Sequence, residues 1–204
     1  MTAASALRTL TAAMLLALSA CASPPAPKDT FHRLEVAAPA ARFQVPPLPG
    51  TLEVDRVESD GVLAERAIAY QEPGQGVQRY RYDFWSEAPG LMMQDRLAGY
   101  LRAANAAERV VTPDLRVPSD WMLRGKLRRF EQIAGAGKVA VEMQLAVVSA
   151  RDGTLVMLKT YAAEIAARSD TPRDAAEAIG RGVSDILDRF VADLARAEIP
   201  KVRR

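Results

Sequence analysis

Apolar and polar positions alternate with a period of two over residues 138–150. Val139, Val141, Met143, Leu145 and Val147 share one face, with Glu142 and Gln144 on the other, the pattern of a half-buried strand. Extended stretches at 121–132 and 154–165 flank it. Gly135-Ala136-Gly137 and Arg151-Asp152-Gly153 separate the three, the second an Asp-Gly hairpin signal, so the region is expected to be an antiparallel ribbon. Shorter strands are predicted at 31–36, 51–58, 67–71 and 78–83, the last two joined through Glu72-Pro73-Gly74-Gln75-Gly76 as a hairpin turn. The proline-rich stretch 37–50 reads as a loop within one domain.

Helical spacing appears twice. Met93, Leu97, Tyr100, Leu101 and Ala104 fall at i, i+4, i+7, i+8 and i+11, behind Ser86 as a cap and Pro89 near the first turn, with an end near Asn105. Ala175, Ile179, Val183, Ile186, Leu187, Phe190 and Leu194 form the second stripe, on a helix from Pro172 to about Ala197, with Thr171 at the N-cap and Asp174 at N3. One apolar face on each helix implies packing on a sheet. The fold class expected is α+β: a two-layer sandwich of a mainly antiparallel sheet with two amphipathic helices.

Composition narrows the chemistry more than the architecture. The 204 residues are 49% hydrophobic and 25% charged, with 27 basic and 25 acidic side chains, a balance that does not point to nucleic acid. One Cys (Cys21) and one His (His32) rule out an intrachain disulfide framework, a Cys/His zinc site and a two-histidine site. Cys21 instead ends a secretory signal: Arg8, an apolar run to Ala20 too short to span a bilayer, then Leu18-Ser19-Ala20-Cys21. That tetrapeptide resembles the lipobox of bacterial lipoproteins. The resemblance implies diacylglycerol on the Cys21 thiol, cleavage before it, and palmitate among the acyl chains.

Each buried acyl CH₂ contributes about 0.8 kcal/mol, so two or three chains make the attachment durable. Cleavage would remove Arg8 and leave 26 basic against 25 acidic residues. The chain thus divides into a signal (1–20), an acylated proline-rich tether (21–30) and one domain (31–204). Ala22 stands where many inner-membrane lipoproteins carry Asp, which favours an outer-membrane anchor facing the periplasm.

Catalytic and cofactor motifs do not assemble. Gly135-Ala136-Gly137-Lys138 lacks the rest of a phosphate loop and has strands on both sides. His32 lies at the domain edge and no Ser sits in a nucleophile elbow. Glu53 with Asp55, and Asp185 with Asp188, are spaced as solvated faces. No cofactor, no metal and no enzyme activity are expected. The candidate contact residues are Arg124, Lys126 and Arg128, a basic stripe that is either a headgroup or acidic-partner site or the wet side of a sheet. Tyr82 and Trp85, with Tyr80, are either a binding patch or core.

The run Gln78-Arg-Tyr80-Arg-Tyr82-Asp-Phe84-Trp85-Ser-Glu-Ala-Pro89, followed by Leu91, Leu97 and Leu101, resembles the ABC-type transport auxiliary lipoprotein family of the paraquat-inducible protein C type. Phe31-x-x-Leu34, Leu123-x-Gly125-x-Leu127-x-x-Phe130 and the closing helix add to the match. The resemblance implies an accessory lipoprotein of a mammalian-cell-entry (MCE) type system, which moves lipid or other hydrophobic cargo between membranes. It would dock or gate at the outer-membrane end, with an MCE-domain protein and, through it, an ABC permease and ATPase as partners; self-association is left open. The alternative is an envelope lipoprotein that binds lipid itself or assists an outer-membrane assembly or peptidoglycan synthase complex. Replacing Cys21 by Ser is expected to abolish incorporation of labelled palmitate and membrane fractionation; unchanged membrane association would refute the anchor.

Overall fold

The computed structural model describes residues 27–199. Eight strands form one sheet: β1 (Thr30–His32), β2 (Leu48–Val54), β3 (Ala67–Gln71), β4 (Val77–Trp85), β5 (Ala107–Val111), β6 (Trp121–Ile133), β7 (Lys138–Ser149) and β8 (Leu155–Ala166). Two helices, α1 (Pro89–Ala104) and α2 (Pro172–Leu194), pack on it. The ribbon β6–β7–β8 is antiparallel as expected, and Gly135, Gly137 and Gly153 take the positive φ their turns require.

The sheet as a whole is not mainly antiparallel. It is mixed, and β1/β4, β2/β5, β2/β6 and β3/β6 are parallel, against three antiparallel pairings. The physical reason lies in β6. Its 13 residues are long enough to pair with two short strands along one edge: β2 beside Trp121–Leu123 and β3 beside Glu131–Ile133. Alternation reports which face a residue occupies, whereas strand direction is decided by crossovers it does not encode.

Smaller differences have local causes. The first strand stops at His32, and residues 33–47 run as a strap across the helices. There Ala37 N–H donates to Ser184 Oγ at 2.9 Å, Ala40 N–H to Asp188 Oδ1 at 3.0 Å, and Phe43 N–H to Ala104 O at 3.0 Å. A Cβ on Gly180 would stand 2.1 Å from Glu35 O, so only glycine lets α2 lie this close to the strap. Ser86 does not cap α1; Ala88 occupies the N-cap with no side-chain bond, and Pro89 supplies the start. Strand β5 was not expected, because adjacent Glu108 and Arg109 break its alternation.

Both apolar stripes are buried as expected. The second helix begins as predicted, with the Thr171 side chain accepting from Asp174 N–H. Tyr161 meets Phe190 edge-on at 6.1 Å, and its hydroxyl donates to Asp193, 2.9 Å away. Asp193 also takes Lys159 Nζ at 2.6 Å, and chiefly that bond holds its carboxyl below the usual range. Arg189 and Arg181 of α2 donate to the carbonyls of Ala162 and Ala166 at 2.8 and 2.7 Å, covering part of the β8 edge.

The segment between β2 and β3 is clamped from two sides. Val57 N–H donates to Gly90 O at 3.3 Å, and a Cβ on Gly90 would lie 2.1 Å from Val57 O. Replacing Gly90 by Ala is therefore expected to cost about 1–3 kcal/mol, the usual penalty of overpacking. Gly99 of the same helix has open space around it, and its Ala variant is expected to gain about 0.5–1 kcal/mol from helix propensity. Urea unfolding of the two variants checks both signs.

Candidate functional site

The open face of the sheet carries a groove of about 760 Å³. Its floor is β6 around Arg124–Lys126 with Gln144 and Ala146 of β7 and Leu158 of β8, and its wall is the clamped segment 55–60. Backbone bonds weld that wall to β6: Asp55 N–H to Leu123 O at 2.9 Å, Glu58 N–H to Gly125 O at 2.8 Å, and Leu127 N–H to Glu58 O at 2.8 Å. Gly125 is needed because a Cβ there would meet Val57 Cγ2 at 3.1 Å and Leu145 Cδ2 at 3.2 Å. The Val57 side chain thus fills the core position that residue 125 leaves empty.

Three basic residues read as a stripe stay on this side, and their partners become visible. Arg124 Nε stands 3.5 Å from Asp55 Oδ2, and Lys126 Nζ stands 2.6 Å from Asp60 Oδ2. Arg128 donates to the neutral Gln144 Oε1 at 3.2 Å. Register shifts between Leu127 and Arg129, a bulge that keeps both Leu127 and Phe130 in the core despite their odd spacing. That bulge is the structural content of the Leu-x-x-Phe pattern. The two ion pairs are solvent-exposed, so each contributes about 0–1 kcal/mol. A charged partner can replace either at little cost.

Acidic groups make the groove amphoteric. Glu53 and Asp55 share a strand face, and burial first, then the Asp55 charge, raises the Glu53 carboxyl above its ordinary value. Asp188, expected to be solvated, instead accepts the Tyr100 hydroxyl and ties the two helices; burial and that carboxylate push the Tyr100 phenol well above its ordinary value. His32 Nε2 lies 2.9 Å from Asp83 Oδ1, linking β1 to β4. Gly135 and Gly137 form the β6–β7 turn, so no phosphate loop exists there. Among the described residues no group of three His, Cys, Asp or Glu is placed to hold a metal ion, and no helix is long and apolar enough to cross a membrane.

The aromatic candidates separate. Trp85 is 1% exposed and stacks on Phe130 with ring centroids 5.2 Å apart. It belongs to the core and leaves the set of contact residues, because the register of β4 against β3 shifts between Arg79 and Phe84 and breaks the alternation that would have put Trp85 on the face of Arg79 and Arg81. Tyr80 is also held inside, donating to Gln132 Oε1 at 2.8 Å. Tyr82 remains partly exposed, under the Arg81 guanidinium at 5.3 Å. Cys21, with Leu18, Ser19 and Ala20, lies outside the described residues. Sequence reading missed Asp55 and Asp60 as partners of the stripe; the signal available was the glycine between Arg124 and Lys126, which marks a close crossing.

The family model of the ABC-type transport auxiliary lipoprotein component matches residues 32–192. The chain belongs to this family. Its fold is similar to that of protein XCC0632 from Xanthomonas campestris, with a TM-score of 0.70 and 19% identity over 79% of this chain and 92% of that one. A second crystal structure, of an uncharacterized protein, is similar at a TM-score of 0.63 and 14% identity, covering 83% of this chain and 98% of that one. At these identities the likeness is one of fold. No curated protein matches the chain.

Within this lipoprotein the core and surface assignments of Trp85 and Arg128 separate cleanly. Trp85→Ala is expected to lose about 3–5 kcal/mol of stability as a core truncation. Arg128→Ala is expected to stay within about 0.5 kcal/mol, as an exposed substitution does. Urea denaturation measures both.

Proposed function

We propose that this lipoprotein is the membrane-anchored accessory component of an MCE-type ABC system that moves lipid or another hydrophobic solute between membranes. Cys21 carries the acyl chains, and Ala22 favours the outer membrane with the domain facing the periplasm. The groove between the segment 55–60 and β6 docks the MCE-domain protein. Family membership over residues 32–192 carries this reading. Its support in the structure is a broad open cleft whose charges of both signs are held only by exchangeable surface pairs. Such a surface selects a partner by charge pattern and speeds encounter.

The rival reading, a carrier holding lipid between sheet and helices, meets a filled interior. Trp85, Trp121, Phe130, Phe190 and a row of leucines are fully buried in that layer, and the groove of about 760 Å³ lies on the face away from the helices. ATP hydrolysis is assigned to another polypeptide.

Affinity capture of the acylated protein from its own envelope is expected to recover an MCE-domain protein. Charge reversal at both Lys126 and Arg128 to Glu should weaken that capture about tenfold or more, since a like-charge contact costs several kcal/mol. Recovery of an outer-membrane barrel or a peptidoglycan synthase in its place would overturn the proposal.

A further inference from the structure

The sheet edge where the chain leaves for its anchor has its own surface chemistry. Phe31 of β1 is 57% exposed, an aromatic ring where the other exposed large apolar side chains among the described residues are aliphatic. It leans on Phe84 of β4 at 5.8 Å, and the Arg66 guanidinium stands over its ring at 5.3 Å. Beside it lies a shallow hollow of about 360 Å³ whose lining includes Glu65, Arg66, Arg79, Arg81 and Phe84. Three guanidiniums face one carboxylate there, and Glu65 is already paired with Arg79. Arg66 is fixed in place by donating to Trp85 O at 3.3 Å and Ser86 O at 3.0 Å. Arg81 is exposed and touches only the Tyr82 ring among the contacts found for it.

We infer that this patch is the protein's membrane-contact surface, with Phe31 entering the headgroup boundary and Arg66 and Arg81 meeting the phosphates of an anionic phospholipid bilayer. Two observations choose that occupant. The first is charge: Arg66 and Arg81, left over once Arg79 is paired with Glu65, stand with an exposed aromatic ring and match an anionic lipid surface, where each basic residue is worth roughly a fivefold gain in contact. The second is chain length. Only nine residues separate Cys21 from Phe31, and the ten chain steps between the two reach at most about 35 Å. The inference rests on acylation at Cys21, and it adds an orientation: the β1 edge faces the bilayer.

The test uses the full mature acylated protein in vesicles of phosphatidylethanolamine and brominated phosphatidylglycerol. Phe31→Trp is a conservative reporter, and the native Trp85 and Trp121 are 1% and 2% exposed. Its emission is expected to shift to the blue and to be quenched by the brominated lipid, whereas Leu158→Trp on β8 is not. Adding Arg81→Glu, or replacing the anionic lipid by brominated phosphatidylcholine at the same bromine content, should relieve the quenching; Arg81 makes no contact that holds the fold, so the variant remains folded. Vesicle flotation with Phe31→Trp no more quenched than Leu158→Trp would overturn the inference while leaving the anchor intact. Failure to float would overturn the acylation reading instead. The patch is then decided on the same sample by whether excess anionic vesicles quench Phe31→Trp.

Discussion

Val57 holds the two halves of the sheet together. Its side chain occupies the core position vacated by Gly125, while its backbone is pressed against Gly90 at the start of α1. One residue therefore couples the central strand and the first helix. On either side of it the chain peels away from β6, first as β2 and then as β3, each parallel to β6 and each with its own extension: β5 beyond β2, β4 and β1 beyond β3. A larger residue at 90 or 125 would separate the segment 55–60 from β6, and with it the wall of the groove. The fold and the candidate docking site share one constraint.

The helices answer to a second glycine contact. Gly180 lets α2 approach Glu35, and Ser184 and Asp188 then fasten the strap by its backbone N–H groups. Asp188 also takes the Tyr100 hydroxyl, so strap and both helices meet at one carboxylate. The strap has few ladder bonds of its own, and side chains on α2 supply what its backbone lacks. The chain is thereby bound to the helix layer soon after β1.

Long elements were legible in the sequence because their periodicity is a direct record of burial. Every stripe residue of α2 is fully buried, and β6, β7 and β8 begin and end within a residue or so of the expected bounds. Strand direction was not legible, since Leu52, Ala69 and Val110 bury identically whether their neighbours run with or against them. Strand β5 escaped because it is five residues long with two charges in its middle. At the site, the basic stripe was visible but its meaning was not. Asp55 and Asp60 precede it by some seventy residues, and only the parallel crossing brings them across from Arg124 and Lys126. Trp85 was ambiguous for a different reason: an aromatic next to a helix start has the same spacing whether the strand turns in or out.

The order of strands sets the distance between the proposed membrane contact and the proposed docking groove. From β1 to β6 the sheet passes through β4 and β3, three strand spacings or about 14 Å. With the β1 edge against a bilayer, that distance lifts the groove at Arg124 and Lys126 beyond a Debye length of about 8 Å, outside the screened range of the lipid charge. The groove can then keep a near-balanced set of charges and read a protein, while the arginines of the β1 edge read the membrane. A single basic surface serving both would bind whichever was more negative. Separation by strand order would let a chain of almost no net charge carry the two proposed surfaces without either competing for the other's ligand.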